Sequence, residues 1–229
     1  MQKILITGSN GLLGQKLVYK LKDKTNIQCI ATARGENRLV NKSGYEYAEL
    51  DITNYDNVES VFSNYMPDVI INTAAMTNVD ACETDKEGAL LLNTTSVKNQ
   101  VMVLEKLQKE NPNYKPHFIH LSTDFIFDGT HGPLDETEKP NPLSYYAETK
   151  LEAEKNVQAS SLHWAMARTV LVYGIVDNMS RSNIVLWVKQ NLEQDKTINV
   201  VDDQYRTPTL AEDLADGCIL IAEKKASGI

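Results

Sequence analysis

The chain has 229 residues, of which 42% are hydrophobic, and this length and composition fit one globular α/β unit with a substantial core. Its 23 Lys and Arg residues against 31 Asp and Glu residues leave a formal net charge of -8, which argues against nucleic acid or an anionic membrane as a partner because both require a cationic face. The sequence contains no apolar run of about 18 residues, so no membrane span is predicted. The apolar stretch at the N-terminus is too short for a secretory signal, and we expect a cytoplasmic protein.

Short apolar runs alternate with amphipathic segments along the chain. The runs predict strands at 3–7, 27–32, 69–72, 117–122 and 164–171. Amphipathic patterns between them predict helices, chiefly at 12–21 and 87–108. Because the apolar runs are continuous rather than alternating, they indicate parallel strands covered by helices on both faces. The predicted fold class is therefore α/β, a doubly wound parallel sheet.

The second half of the chain is less periodic. The Pro- and Gly-containing stretch 128–142 predicts a long loop, which we expect to border a functional site. Further along, the pattern predicts a strand at 198–201, a turn at 207–209 and a helix at 210–224.

Neither the cysteines nor the histidines show the spacing of a metal site. Cys29, Cys82 and Cys218 are odd in number, far apart and outside any CxxC pattern, which indicates reduced, mostly buried thiols. The four histidines form no HExxH-like pattern, and His117 and His120 alternate with apolar residues in a strand, so both are interpreted as structural. No metal site is predicted.

Three glycines separate the first strand from the first helix. Gly8 suits a tight turn, Gly11 allows the backbone to approach a pyrophosphate, and Gly14 allows the helix to pack closely on the strand. The pattern predicts a Rossmann-type dinucleotide site, the alternative being a glycine-rich turn without a ligand. The cofactor contacts expected from this turn are Gly8, Asn10, Gly11, Leu12, Leu13 and Gly14.

The end of the second strand indicates which dinucleotide is bound. A protein that prefers NAD usually has an acidic residue about twenty residues beyond the glycine loop, where it binds the ribose 2′-hydroxyl. Here Arg34 occupies that region and suits a 2′-phosphate, with Arg38 as a second cation. NADP(H) is therefore favoured and NAD(H) stays open, as does the interpretation of Arg34 as a solvated loop residue. Asp51 and Ile52 are expected beside the adenine, unless Asp51 or Thr53 simply caps the next helix.

A tyrosine and a lysine one helical turn apart form the candidate catalytic pair. An ammonium at Lys150 would stabilise the phenolate of Tyr146, lower the pKa of the phenol and allow proton exchange with a carbonyl or alcohol oxygen. Thr123, at the end of a predicted strand, could hydrogen-bond the reacting carbonyl. The alternative for the 122–124 segment is a turn or cap. Together with the glycine loop, these residues favour catalysis.

Five segments together resemble dTDP-4-dehydrorhamnose reductases of the extended short-chain dehydrogenase superfamily. They are the GxxGxxG loop 8–14, INTAAMTNVD at 71–80, LSTDFIFDG at 121–129, PLSYYAETKLEAE at 142–154, and VVDDQ with TPT at 200–209. The resemblance implies NAD(P)H-dependent reduction of the 4-keto group of a nucleotide-linked 6-deoxy sugar. Asp124 is followed by Phe125 rather than by the second acid of the related dehydratases, which favours a reductase.

The resemblance also implies roles for individual residues. Tyr146 would be the acid, Lys150 would tune it and hold the nicotinamide ribose, and Thr123 would orient the ketone. The segment 72–77 would line the cofactor. The contacts expected there are Ala74, Ala75 and Thr77, with Asn93 in support.

Two departures from the family pattern affect the substrate side. Arg206 stands where relatives commonly have a small residue, which leaves the sugar open, and relatives continue beyond residue 229. We therefore expect a Rossmann domain at 1–172 and, at 173–229, Rossmann elements interleaved with a small C-terminal substrate lobe that is incomplete. A non-catalytic regulatory subunit resembling the β subunit of methionine adenosyltransferase, and a nucleotide-sugar epimerase, stay open as alternatives. So does assembly into a homodimer.

Overall fold

Six parallel strands form the central sheet of the computed structural model, which describes residues 1–178 and 183–229. Their spatial order is β3-β2-β1-β4-β5-β6. They are β1 Gln2–Thr7, β2 Ile27–Ala33, β3 Glu46–Glu49, β4 Val69–Asn72, β5 His117–Thr123 and β6 His163–Thr169. The order reverses between β1 and β4, and ligands of open α/β sheets bind beside such a reversal, at the carboxyl ends of the strands.

Helices connect the strands and cover both faces of the sheet. They are α1 Leu12–Leu21, α2 Tyr55–Tyr65, α3 Val79–Thr84, α4 Lys86–Leu90, α5 Ser96–Glu110, α6 Tyr145–Gln158, α7 Ile184–Leu192 and α8 Ala211–Lys224. A π-helical turn, Leu91–Thr95, joins α4 to α5, and a 3-10 turn, Asp124–Ile126, follows β5. Among the helices of the described ranges, none has both the length and the apolar character needed to cross a membrane.

The continuous apolar runs are explained by a core on each side of the sheet. Leu5, Ile70 and Phe118 contribute to the cluster on one face, and Ile6 and Ile71 contribute to the cluster on the other. Neighbouring residues of a strand point to opposite faces, so both must be apolar when both faces are covered. The predicted doubly wound α/β fold is confirmed.

Three local predictions are corrected. The helix predicted at 87–108 is interrupted by the π-helical turn. The strand predicted at 198–201 is wrong: Val200 and Val201 are exposed, and no strand within residues 1–178 and 183–229 pairs with them. The turn predicted at 207–209 is also wrong, because Pro208–Leu210 forms a short strand, β8, that pairs in parallel with β7, Leu171–Tyr173. Proline is tolerated there as the first residue of a strand.

Candidate active site

A cavity of about 270 Å³ opens at the carboxyl ends of β1, β2 and β4. Sequence-predicted contacts make up most of its wall: Gly8, Asn10, Gly11, Arg34, Asp51, Ile52, Ala74 and Ala75. Ala33, Leu50, Thr73 and Leu92 complete the wall. The structure thus brings together residues from five separate chain segments at the point where the strand order reverses.

The glycine-rich turn has little room for side chains. Gly8 has a φ of 69°, and a Cβ atom there would lie 2.9 Å from the Cα of Ala74. A Cβ on Gly14 would lie 2.3 Å from the carbonyl oxygen of Gly8. Directly after this turn, α1 begins at Leu12 and continues through Leu13 and Gly14, with Gly11 as its N-cap. First-turn N–H groups without a side-chain cap are available to an anion, as a dinucleotide phosphate requires.

Replacing Gly14 with Ala is expected to lower the free energy of unfolding by about 1–3 kcal/mol, because the methyl group overlaps backbone atoms. It should also weaken nucleotide binding, since the helix must move off the turn. The control is Gly217→Ala on the exposed side of α8, where a Cβ atom has no neighbour within 4 Å. This change should raise the free energy of unfolding by about 0.5–1 kcal/mol. Urea unfolding measures both. Equal effects at the two positions would contradict the close packing at Gly14.

Asn10 braces the loop that follows β2. Its Nδ2 donates to the carbonyl of Glu36 at 2.9 Å, and its Oδ1 accepts from the N–H of Arg38 at 2.9 Å. The loop is therefore fixed beside the glycine-rich turn. Arg34, which begins this loop, is exposed at the cavity.

Asp51 forms a local turn beside Arg34. Its Oδ1 accepts hydrogen bonds from the hydroxyl and the N–H of Thr53, at 2.6 and 2.9 Å. These bonds, with a contribution from the Arg34 charge, hold the pKa of the carboxyl below its ordinary value. The alternative in which Asp51 or Thr53 caps the next helix is wrong, because Asn54 is the N-cap of α2.

Asn93, in the π-helical turn, holds the segment that follows β4. Its Oδ1 accepts from the N–H of Met76 at 2.7 Å, and its Nδ2 donates to the carbonyl of Met76 at 3.0 Å and to the hydroxyl of Thr149 at 3.1 Å. The side chain is buried, so Asn93 acts as a brace between this segment and α6. Thr77, in contrast, is exposed and outside the lining of the cavity.

The candidate catalytic side chains come from β5 and α6. Ser144 caps α6 by accepting a hydrogen bond from the N–H of Ala147 at 3.2 Å, which starts the helix directly before Tyr146. Thr123, Tyr146 and Lys150 are 4%, 7% and 3% exposed. The Thr123 side chain lies close enough to the phenol of Tyr146 to affect its pKa, and the Phe125 ring meets the Tyr146 ring edge-on at 5.9 Å. The sequence-predicted trio therefore meets at the carboxyl end of β5.

The charge interaction expected between Lys150 and Tyr146 is not what the structure shows. The Nζ of Lys150 donates to the carbonyl of Leu121 at 2.7 Å and lies 3.4 Å from the Nε2 of His120. Burial raises the pKa of Tyr146 to about 12, although the neighbouring Thr123 side chain has a lowering effect. The predicted lowering of the phenol pKa is therefore wrong, because desolvation outweighs the other contributions. The phenol is therefore protonated at neutral pH, which is the form that a proton donor must have before the reaction.

His120 is a part of the site that the sequence analysis placed among structural residues. It is 1% exposed, and its Nδ1 lies 3.0 Å from the Nδ2 of Asn72, whose Oδ1 accepts from the hydroxyl of Thr7 at 2.6 Å. Burial, with a smaller contribution from the Lys150 charge, holds the pKa of His120 well below its ordinary value. Burial likewise lowers the pKa of Lys150 to about 8. Thr7 on β1, Asn72 on β4 and His120 on β5 therefore form a buried chain of polar contacts across three strands. At its end, the neutral imidazole of His120 lies beside the ammonium of Lys150.

Comparison with known proteins agrees with this geometry. Residues 1–229 match a family model described as the RmlD substrate binding domain. The dTDP-4-dehydrorhamnose reductase of Aggregatibacter actinomycetemcomitans is 32% identical over 225 residues, which are 98% of this chain and 68% of that protein. A crystal structure of dTDP-4-dehydrorhamnose reductase from Bacillus anthracis in complex with NADP has a TM-score of 0.80 and 26% identity, over 100% of this chain and 73% of that one.

A second group of relatives is named as a subunit of methionine adenosyltransferase rather than as a reductase. Methionine adenosyltransferase 2 subunit beta from Bos taurus is 30% identical over 224 residues, which are 98% of this chain. The chain spans 63% of the length of that subunit. Because the family model matches the chain from its first residue to its last, the chain belongs to the RmlD substrate binding domain family.

Proposed function

We propose that the protein reduces the 4-keto group of a nucleotide-linked 6-deoxy sugar with a nicotinamide cofactor, NADPH being favoured over NADH. One observation carries the proposal: the buried side chains of Thr123 and Tyr146 lie together at the carboxyl end of β5, on the edge of the sheet that holds the glycine-rich turn. The resemblance to dTDP-4-dehydrorhamnose reductases supports the substrate class.

The residues around the cavity fit a dinucleotide. The glycine turn leaves no space for a Cβ atom at Gly8 or Gly14, and first-turn amides of α1 suit a pyrophosphate. Arg34 suits a 2′-phosphate, and a relative of known structure is in complex with NADP. When bound, the cofactor supplies the hydride that reduces the carbonyl carbon.

Side chains of this protein would donate a proton and a hydrogen bond to the oxygen of that carbonyl. Tyr146 would donate its phenolic proton to the oxygen, and the O–H of Thr123 would hydrogen-bond it. The proton lost by Tyr146 would be replaced from solvent. Lys150, whose Nζ is held by the Leu121 carbonyl, would bind the nicotinamide ribose, the role that the family resemblance implies for it.

The test is the nicotinamide absorbance of the natural full-length protein mixed with NADPH and dTDP-4-keto-6-deoxy sugar. Loss of absorbance that depends on the sugar nucleotide is expected. The second candidate, a regulatory subunit, is favoured by the 30% identity to methionine adenosyltransferase 2 subunit beta. Tight NADPH binding without turnover, together with capture of a methionine adenosyltransferase catalytic subunit, would support that candidate and contradict the first.

The preference for NADPH is proposed to depend on Arg34. Replacing Arg34 with Ala is expected to raise the Kd for NADPH about tenfold or more, since a charge-assisted hydrogen bond contributes about 1.5–3 kcal/mol. The Kd for NADH should change little, because NADH has no 2′-phosphate. Fluorescence titration with NADPH and with NADH measures the two Kd values. An equal rise of both Kd values would contradict the role of Arg34. The matched variant Arg38→Ala measures how much the second cation adds.

A cytoplasmic location and a homodimer belong to the same proposal. The net charge of -8 and the nucleotide-sugar substrate class support a biosynthetic enzyme of the cytoplasm. Light scattering of the full-length protein tests the dimer, and a monomer mass would contradict it.

A further inference from the structure

Arg206 connects the segment between α7 and β8 to the end of β5. Its Nη1 lies 3.0 Å from the Oδ2 of Asp124, a residue 82 positions earlier. The carbon of its guanidinium lies 4.3 Å from the centroid of the Phe125 ring, and that ring meets the Tyr146 ring edge-on at 5.9 Å. The guanidinium is therefore fixed beside the candidate catalytic pair by an ion pair and by a cation–π contact.

The other oxygen of Asp124 contacts Thr123. The Thr123 Oγ1 and the Asp124 Oδ1 are 3.2 Å apart. An ionised carboxylate can only accept, so the Thr123 hydroxyl is the donor in this bond. The N–H of Phe125 donates to the same Oγ1 at 3.2 Å. A hydroxyl has one hydrogen, so Asp124 competes for the hydrogen that the proposed reduction needs on the substrate oxygen.

An unpaired carboxylate at this position would oppose the reaction in two ways. It would hold the Thr123 hydrogen more strongly, because hydrogen bonds to ionised acceptors are about twice as strong as neutral ones. Its negative charge would also repel the charge that develops on the carbonyl oxygen during hydride transfer. The guanidinium of Arg206, 3.0 Å from the carboxylate, offsets both effects.

We propose that Arg206 is a positioning residue for the reduction: by pairing with Asp124 it weakens the hold of the carboxylate on the Thr123 hydroxyl and leaves that hydrogen to the substrate oxygen. The inference rests on the proposed function and assigns a role to a residue at which this chain departs from the family pattern.

The test compares Arg206→Met, Arg206→Lys, Asp124→Asn and the double variant Arg206→Met/Asp124→Asn in the full-length protein. Arg206→Met should lower kcat about tenfold, which is less than the 10²- to 10³-fold loss on removing a donor to a developing oxyanion, because the Thr123 hydroxyl is still present. Arg206→Lys keeps the positive charge, so its kcat should fall less than that of Arg206→Met. The double variant should have a higher kcat than Arg206→Met, because no carboxylate is left to neutralise. The Kd for NADPH and the thermal unfolding of each variant are measured in parallel.

The outcomes separate this inference from the proposed function. If the ion pair only holds the segment between α7 and β8 in place, Asp124→Asn should lower kcat as much as Arg206→Met does. The kcat of the double variant should then be no higher than that of either single variant. That result, with an active wild type, overturns the positioning role alone. Absence of sugar-dependent turnover in the wild type overturns the proposed function and this inference with it.

Discussion

Replacing Tyr146 with Phe is expected to lower kcat by about 10²- to 10⁴-fold, because the variant has no hydroxyl to donate a proton to the substrate oxygen. The Phe ring keeps the edge-on contact with Phe125 at 5.9 Å, so the fold and the Kd for NADPH should change little. Steady-state turnover of the sugar nucleotide and fluorescence titration with NADPH measure the two effects separately.

The control for this variant is its neighbour on α6. Tyr145→Phe removes the same hydroxyl from a ring that lies 4.9 Å from the ammonium of Lys86. It is expected to leave kcat unchanged. A Tyr146→Phe protein that loses NADPH binding together with turnover would show that the phenol supports the structure rather than the chemistry.

Much of the nucleotide site is predictable from the sequence because its requirements are local. A turn that needs a positive φ at Gly8 and close approach at Gly14 can hardly use other residues. The helix predicted at 12–21 is observed as Leu12–Leu21, since it is amphipathic and directly follows the glycine turn. Arg34 and Asp51 could be placed by their distance from the strands that precede them.

Features that depend on contacts distant in sequence could not be predicted in this way. His120 contacts Asn72 on β4 and Lys150 on α6, and a histidine in an apolar strand gives no indication of which side chains it will meet. The low polarity around Tyr146, which raises its pKa, arises from several elements packed together. The contact between Arg206 and Asp124 likewise joins segments 82 residues apart. The only signal in the sequence was that Arg206 departs from the family pattern.

The strand pairs of the C-terminal half show the same limit. Proline in Thr207–Thr209 indicates a turn when it is considered by itself, yet Pro208 starts a strand because β7 lies alongside. Val200 and Val201 favour a strand by propensity, but no strand of the described ranges lies alongside them. Strand propensity therefore needs a neighbouring strand before it takes effect.

The ion pair between Arg168 and Glu154 leads to the second large expected effect. The Nε and Nη2 of Arg168, on β6, contact the two oxygens of Glu154, on α6, at 3.0 and 2.8 Å. Glu154 is 1% exposed and lies one helical turn after Lys150. The same guanidinium lies 5.3 Å from the Phe127 ring and 3.4 Å from the carbonyl of Glu136. The pair thus ties α6 and the long loop 128–142 to the sheet.

Replacing Arg168 with Met is expected to lower the free energy of unfolding by about 3–5 kcal/mol, because a buried carboxylate is left without its partner. The double variant Arg168→Met/Glu154→Met should recover most of that loss, since neither position then has a buried charge. The control is Lys24→Met, which breaks the exposed ion pair between Lys24 and Glu223. It should lower the free energy of unfolding by at most about 1 kcal/mol. Urea unfolding compares the three, and a double variant as unstable as Arg168→Met would show that the loss comes from packing rather than from an unpaired charge.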